Sequence, residues 1–343
     1  MSVRKLYLDR GIGETRGVVT LDGAPERLLI ARDGDGPLTQ LGARLVGRVR
    51  KVEPAFASAF IDLGGAEALM SFKPDTRPVE GQAIEVEIRS EPRDGKLATV
   101  RLIGPGEGRP RLLTAAPDIA EQLTFFAKDI PILEGRAARA MADAAETEAL
   151  EILHPLPGGG DLAIEPTRAL VAIDVDVGER KGQDVKRVTR QANHTALAES
   201  ARLLRLKGLG GIVVIDLVGR GHDGNALLTA ARTAFAPDNP GVAIGPVGRF
   251  GTMEMTVPRR GRALRDILGD GAGGLSDLTL ALRLIRRLEA AAASDPGGRL
   301  VATCSPAVAQ AAKPYAEILA ARIGSRFVIE ASPDGPRDRL DVR

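Results

Sequence analysis

The 343-residue chain has no tryptophan, two tyrosines and eight phenylalanines, so its cores must be built from Leu, Ile, Val and Ala. A surface that stacks on flat rings has only a few Phe side chains to use, which makes each exposed Phe informative. A single cysteine, Cys304, excludes an intramolecular disulfide and a cysteine-rich zinc site, and it suits a reducing compartment. The three histidines, His154, His194 and His222, are scattered, which disfavours a histidine acid–base mechanism. No run approaches the ~18 consecutive apolar residues of a membrane span, and Met1–Arg10 lacks the apolar centre of a signal peptide. The expectation is therefore a cytoplasmic protein without a membrane anchor. Basic and acidic residues nearly cancel, at 47 against 45, so a polyanion partner has to be argued from local clustering.

What is present is a succession of short strand-like and helix-like patterns. Lys5–Leu8, Gly17–Leu21 and Glu26–Ala31 predict a small antiparallel meander. Ala43–Val52, Ser58–Leu63, Glu67–Ser71, Ala83–Ser90 and Lys96–Ile103 then give five short strands, the pattern of an OB-type barrel. A Gly- and Pro-containing hinge, Gly104–Pro110, closes that stretch, and Gly135–Ile152 reads as an Ala-rich amphipathic helix. From Asp161 to Glu254 the pattern is strand, helix, strand, and Leu275–Ala293, Leu300–Cys304, Pro306–Ile323 and Arg326–Glu330 predict a small C-terminal α/β unit. The fold class is mixed α/β.

Two apolar strands each stop at a carboxylate: Leu170-Val171-Ala172-Ile173-Asp174 and Ile212-Val213-Val214-Ile215-Asp216. The helix between them, Val188–Leu206, is long enough to be the crossover of a parallel pair, which would bring both aspartates to one edge of one sheet. Carboxylates held together repel unless a divalent cation lies between them, and an oxygen-rich, partly hydrated site suits magnesium. Asp176, two residues past Asp174, faces the same side if the strand continues and would be a third ligand, or it is a turn residue. Either aspartate alone is better explained by a helix cap, and it is the matched pair that points to a site. Basic residues gather around the pair: Lys181, Lys186, Arg187, Arg190, Arg202, Arg205 and Lys207, then Arg249, Arg259, Arg260 and Arg262. They would hold a polyanion, although for any one of them a solvated helix face is as good an account. In the barrel, Phe60 and Lys96 are candidates for stacking a base and steering a phosphate, with a core role for Phe60 as the alternative.

These residues resemble the ribonuclease E and ribonuclease G family. The likeness runs through Gly159–Thr167, Ala169–Gly178, Arg205–Asp216 and Arg249–Thr256, in that order. The barrel is similar to the family's S1-type RNA-binding domain through Gly47-Arg48-Val49, Val52-Glu53-Pro54 and Ala59-Phe60-Ile61-Asp62, with Met70 where the family has a second aromatic. The resemblance implies an RNase H-like subdomain over residues 1–37 and 114–160, the barrel over 38–105, a DNase I-like catalytic subdomain over 161–269, and a small α/β domain over 275–334. It implies Mg2+, with Mn2+ as a substitute, held by Asp174 and Asp216. It also implies cleavage of single-stranded RNA to 5′-phosphate and 3′-hydroxyl ends, with Phe60, Lys96, Asn193, Arg249, Lys181 and Arg187 on the RNA.

The chain also departs from the family's pattern. Asp176 stands where the family has Asn, Thr195 where it has an acid on the intervening helix, and Gly219 where it has a second acid after Asp216. The segment before Gly159 is too short for a 5′-monophosphate sensor. Ile267–Gly274 replaces the Cys-x-x-Cys zinc link, so neither structural zinc nor a zinc-linked dimer is expected. The alternative to a nuclease is a catalytically weakened RNA-binding protein or adaptor of the same family.

Overall fold

The computed structural model describes residues 3–343 apart from 94 and 179–183. The chain opens with the antiparallel meander β1 (Arg4–Arg10), β2 (Glu14–Leu21) and β3 (Ala24–Arg32). The barrel follows: β4 (Arg44–Glu53), β5 (Ser58–Asp62), β6 (Glu67–Ser71), β7 (Ala83–Ser90) and β8 (Ala98–Pro105). These five run in the order β5-β6-β8-β7-β4, and pairing of β4 with β5 closes the ring in the OB manner. Alternation fills it: Ala59 and Ile61 point inward from β5, as do Ala68 and Met70 from β6. The hinge is shorter than the sequence suggests, because β8 runs on to Pro105, and after it β9 (Arg111–Thr114) returns to the barrel and pairs with β4.

Helix α1 (Ile119–Phe126) starts on an Asp118–Glu121 capping box and covers one face of the meander, packing Ile119 and Leu123 on Leu6, Leu8 and Val19. The short β10 (Ile132–Leu133) pairs with β1, and α2 (Arg136–Leu150) lays an alanine stripe, Ala138, Ala142, Ala145 and Ala149, toward the interior. Next come β11 (Leu153–Pro155), β12 (Asp161–Pro166), β13 (Val171–Asp176), α3 (Val185–Lys207), β14 (Gly211–Asp216), α4 (Gly224–Phe235), β15 (Ala243–Val247), β16 (Thr252–Val257) and α5 (Leu264–Leu268). Their strands form one sheet in the order β11-β12-β13-β14-β16-β15. Val171, Ile173, Val213, Ile215, Met253 and Met255 point to one side, where they share a core with Leu197, Leu203 and Leu204 of α3 and Leu227 and Phe235 of α4. Burial of each such Leu contributes about 1.5–3 kcal/mol. The same core takes in Ala142 and Ala145 of α2 and Leu28 and Ile30 of β3, so helices lie between the meander and the larger sheet.

The C-terminal unit comprises α6 (Asp277–Ser294), β17 (Leu300–Cys304), α7 (Pro306–Ala312), α8 (Ala316–Ile323), β18 (Phe327–Ala331) and β19 (Asp341–Val342), with sheet order β18-β17-β19. The expected single helix over 306–323 is divided by a 3-10 turn at Lys313–Tyr315, where Pro314 cannot donate the backbone bond that would continue α7. A buried ionic cluster joins this unit to the body. The fully buried Arg16 of β2 reaches Asp9 Oδ2 at 2.5 Å, Asp143 Oδ1 at 2.8 Å and Glu146 Oε2 at 2.9 Å. From α6, Arg283 and Arg286 grip the same Glu146 at 2.7 and 3.1 Å, and Arg286 also pairs with Glu14. Burial alone would raise the Glu146 carboxyl, but Arg286, Arg283 and Arg16 together hold it below its ordinary range.

Candidate nuclease centre

Strands β13 and β14 are parallel, and their register sets Asp174 directly beside Asp216. Neighbouring strands lie about 4.8 Å apart, so the two carboxylates share one small volume. The alternation that buries Ile173, Val175 and Ile215 turns both aspartates to the opposite face, where both are exposed and which no helix covers among the described residues. Among the described residues neither carboxylate has a hydrogen bond or an ion pair. Two adjacent carboxylates open to water have the oxygen chemistry that could hold a hard, partly hydrated divalent cation.

Asp176 is exposed on the same face, yet its Oδ1 accepts the Gly178 N–H at 2.7 Å and its register partner is Asp161. Among the described residues no three His, Cys, Asp or Glu side chains converge as a metal cage. Of the two readings of Asp176, third ligand or turn residue, the Gly178 contact supports the second. Gly219 explains itself: its φ is +91°, and a Cβ there would lie 2.6 Å from Thr189 Cγ2. A side chain in place of Gly219 would collide with α3.

Asn193 does not reach a ligand surface. It is 1% exposed, its Nδ2 donates to Val218 O at 3.0 Å, and its Oδ1 accepts from Val218 N at 3.1 Å. The expected RNA contact is instead a brace that fixes the chain two residues beyond Asp216. The reason is helical phase: Asn193 follows Ala192 on the inward stripe of α3.

The basic residues divide into two sets. Arg202 is bound to Glu148 and Glu199 at 2.7 Å, Arg205 to Asp238 at 2.8 Å and Arg262 to Asp35 at 2.9 Å, while Arg259 donates to Gly210 O. Lys207 is buried, with Nζ on Ala149 O at 3.0 Å, and burial pulls its pKa down to about 8. These side chains hold the fold together. Lys186, Arg187 and Arg190 in the first turns of α3, Arg220, and Arg249 in the β15–β16 turn are exposed and have no ion pair among the described residues. They rim the end of the sheet that carries the aspartates. Lys181 lies outside the described residues.

On the barrel, Phe60 is half-buried on the outer side of β5, between Lys51 of β4 and Leu69 of β6. Met70 faces the barrel core and is 1% exposed, so it offers no stacking surface. Lys96 is exposed on the β7–β8 connection, whose Glu91 N–H donates to Arg260 O at 3.3 Å, tying this part of the barrel to the segment after β16. Besides Phe125 on α1, two exposed rings in turns escaped the sequence reading: Phe56 in the Pro54–Phe56 turn and Phe250 in the β15–β16 turn. Their signal was an aromatic residue among turn formers, outside any alternating run. A groove of about 710 Å³ between α3 and α4, lined by His194, Ala198 and Thr229, includes neither aspartate.

The fold is that of a mixed α/β protein in which an OB-like barrel accompanies a sheet whose parallel central strands end in paired carboxylates. Residues 111–260, under half of the chain, match the model of the Ribonuclease E/G family. The chain is 29% identical to ribonuclease E of Haemophilus influenzae over 183 residues, which cover 50% of this chain and 19% of that protein. To ribonuclease E of Escherichia coli it is 28% identical over 183 residues, 50% of this chain and 17% of the relative. To the chloroplastic ribonuclease E/G-like protein of Arabidopsis thaliana it is 32% identical over 152 residues, 42% of this chain and 14% of the relative. The matched part thus spans under a fifth of these relatives. In the Ile267–Gly274 segment, which stands where the family has its zinc link, Asp270 accepts from Ala272 N and Gly274 N and pairs with Arg337 at 2.7 Å.

Proposed function

We propose that this protein is a metal-dependent endoribonuclease that hydrolyses phosphodiester bonds in single-stranded RNA, leaving 5′-phosphate and 3′-hydroxyl ends, in RNA processing or decay in the cytoplasm. The observation that carries the reading is the direct register pairing of Asp174 with Asp216 on an uncovered sheet face. The two carboxylates would hold Mg2+, or Mn2+ in its place, which supplies Lewis acidity at a phosphate oxygen and an activated water. The chain's own part is positional. Asn193 fixes the backbone after Asp216, and the β15–β16 turn is tied to the same loop through Leu217 N to Gly251 O at 3.2 Å. Arg249, Arg187 and their basic neighbours hold the strand's phosphates, and Phe60 and Lys96 guide it across the barrel.

A second reading, an RNA-binding protein or adaptor with a weakened centre, is favoured by the absence of a third converging carboxylate among the described residues. One experiment separates them: cleavage of a 5′-end-labelled single-stranded RNA, with and without magnesium, by the wild type and by Asp174→Asn. The nuclease reading expects cleavage that needs the metal and is lost in the variant while RNA binding persists. Metal-independent binding without cleavage in either protein rejects it in favour of the second reading.

A further inference from the structure

The β15–β16 hairpin turns through Gly248-Arg249-Phe250-Gly251, directly beyond Thr252, the register partner of Asp216. The turn is closed by Gly248 N to Thr252 O at 2.8 Å and Gly251 N to Gly248 O at 3.0 Å. Gly251 has φ +89°, and a Cβ there would stand 3.4 Å from His222 Nε2, so the turn is held against the loop that follows Asp216. From this fixed turn the Phe250 ring projects into solvent, 77% exposed, in a chain with only eight Phe residues and no Trp. The Arg249 guanidinium lies over the ring, 4.5 Å from its centroid. Among the described residues that guanidinium makes no hydrogen bond or ion pair, so its N–H donors are free at its edge.

A ring so held has one occupied face and one open face. We propose that Phe250 is a stacking platform for a base flanking the phosphate at the Asp174–Asp216 pair, and that Arg249, stacked behind it, holds the neighbouring phosphate. This rests on the nuclease reading and adds a contact that selects single-stranded over paired RNA, because only an unstacked base can lie on the ring. Rigidity follows from the turn: the platform is presented in place, and ordering it on binding costs little. Arg249 does two jobs without moving, since its stacking uses the guanidinium plane and phosphate binding uses its edge.

The test is equilibrium binding, in EDTA, of a fluorescein-labelled single-stranded RNA of about 12 nucleotides, a length within the usual site sizes of single-strand binders. The proteins are full-length wild type, Phe250→Ala, Phe250→Leu, Phe250→Tyr and, as a control at an equally exposed ring on α1, Phe125→Ala. Loss of one stacked base should weaken binding about five- to a hundredfold in Phe250→Ala. Phe250→Leu should be nearly as weak, because it keeps apolar bulk without a π-face, while Phe250→Tyr and Phe125→Ala should match the wild type. In Phe250→Trp, the only indole of the chain, RNA should quench the fluorescence. The proposal is overturned if Phe250→Ala binds as the wild type does, if Leu substitutes for Phe, if Phe125→Ala is equally weak, or if the Trp signal ignores RNA. These results leave metal-dependent cleavage by the wild type, and with it the nuclease reading, standing. A wild type that neither binds nor cuts RNA removes both.

Discussion

Asn193→Ala tests whether the carboxylate pair depends on a brace behind it. The wild-type amide satisfies both backbone groups of Val218, at 3.0 and 3.1 Å, from a side chain that is 1% exposed. Truncation removes both bonds and leaves a donor and an acceptor without partners. Each fully buried orphan costs about 1–3 kcal/mol, but Val218 is half-buried and water can reach part of it. A loss of about 2 kcal/mol is therefore expected, measured as a lower urea midpoint at unchanged slope. The loosened segment begins two residues after Asp216, so Mn2+ affinity, read by titration calorimetry, should also fall, by about 10–100-fold as for other groups that orient a metal ligand. RNA affinity in EDTA should hold. The opposite pattern, with stability and Mn2+ affinity unchanged and RNA affinity lost, would refute the brace and restore Asn193 as a direct RNA contact.

Other perturbations probe different levels of the same structure. Asp174→Asn and Asp216→Asn should each abolish metal-dependent cleavage without lowering the melting temperature, because both side chains are exposed and unpartnered among the described residues; a variant that still cuts would remove that residue from the site. Arg16→Met should destabilise by about 3 kcal/mol, since it leaves buried Asp9 with only Arg139 at 3.5 Å and takes one of three arginines from Glu146; an unchanged denaturation midpoint would show that the cluster is not cooperative. For Lys207, burial lowers the pKa to about 8 from 10.5, so between those values the folded state gives up its proton before the unfolded state does. Wild-type stability should therefore gain at most about 3 kcal/mol as pH rises through that window, on top of other groups. Comparing urea midpoints at pH 7.5 and pH 10, the gain should vanish in Lys207→Met, and its persistence there would assign it elsewhere.

The parts of this fold legible in the sequence are those governed by local period. The barrel strands announce themselves by alternation, and Val171, Ile173 and Val175 against Ala172, Asp174 and Asp176 already state which side of β13 is buried. The pairing of Asp174 with Asp216 followed from a strand, a long helix and a second strand, and the register puts the two side by side. What the sequence concealed depends on long-range neighbours. Arg187 and Arg205 look alike in a string of basic residues, but only the second faces Glu26 and Asp238 from elements far away in the chain. Asp176 reads as a third ligand until its Oδ1 is found on the Gly178 N–H. Met70 sits where a stacking ring was expected, and the inward side of a closed barrel decides its fate.

The uncovered face of the six-stranded sheet is the strongest physical argument for a site. A sheet packed on one side by α3 and α4 need only be polar on the other, and Thr or Ser, or acids alternating with Lys and Arg, would serve that purpose without repulsion. Instead the open face carries Glu165, Asp174, Asp176, Asp216 and Glu254, all exposed, and two of them are set against each other in register. Like charges directly opposite across strands destabilise a sheet. Among the described residues the exposed basic groups at this end of the sheet, such as Arg187, Arg220 and Arg249, lie on α3, in a loop and in a turn rather than on the adjoining strands, where they could have neutralised the pair. Stability alone gives no reason for that division, with negative charge on the strands and positive charge at the rim. A cation at the carboxylates and a polyanion across the rim satisfy both halves at once, which is what the two-part arrangement predicts for metal and RNA together.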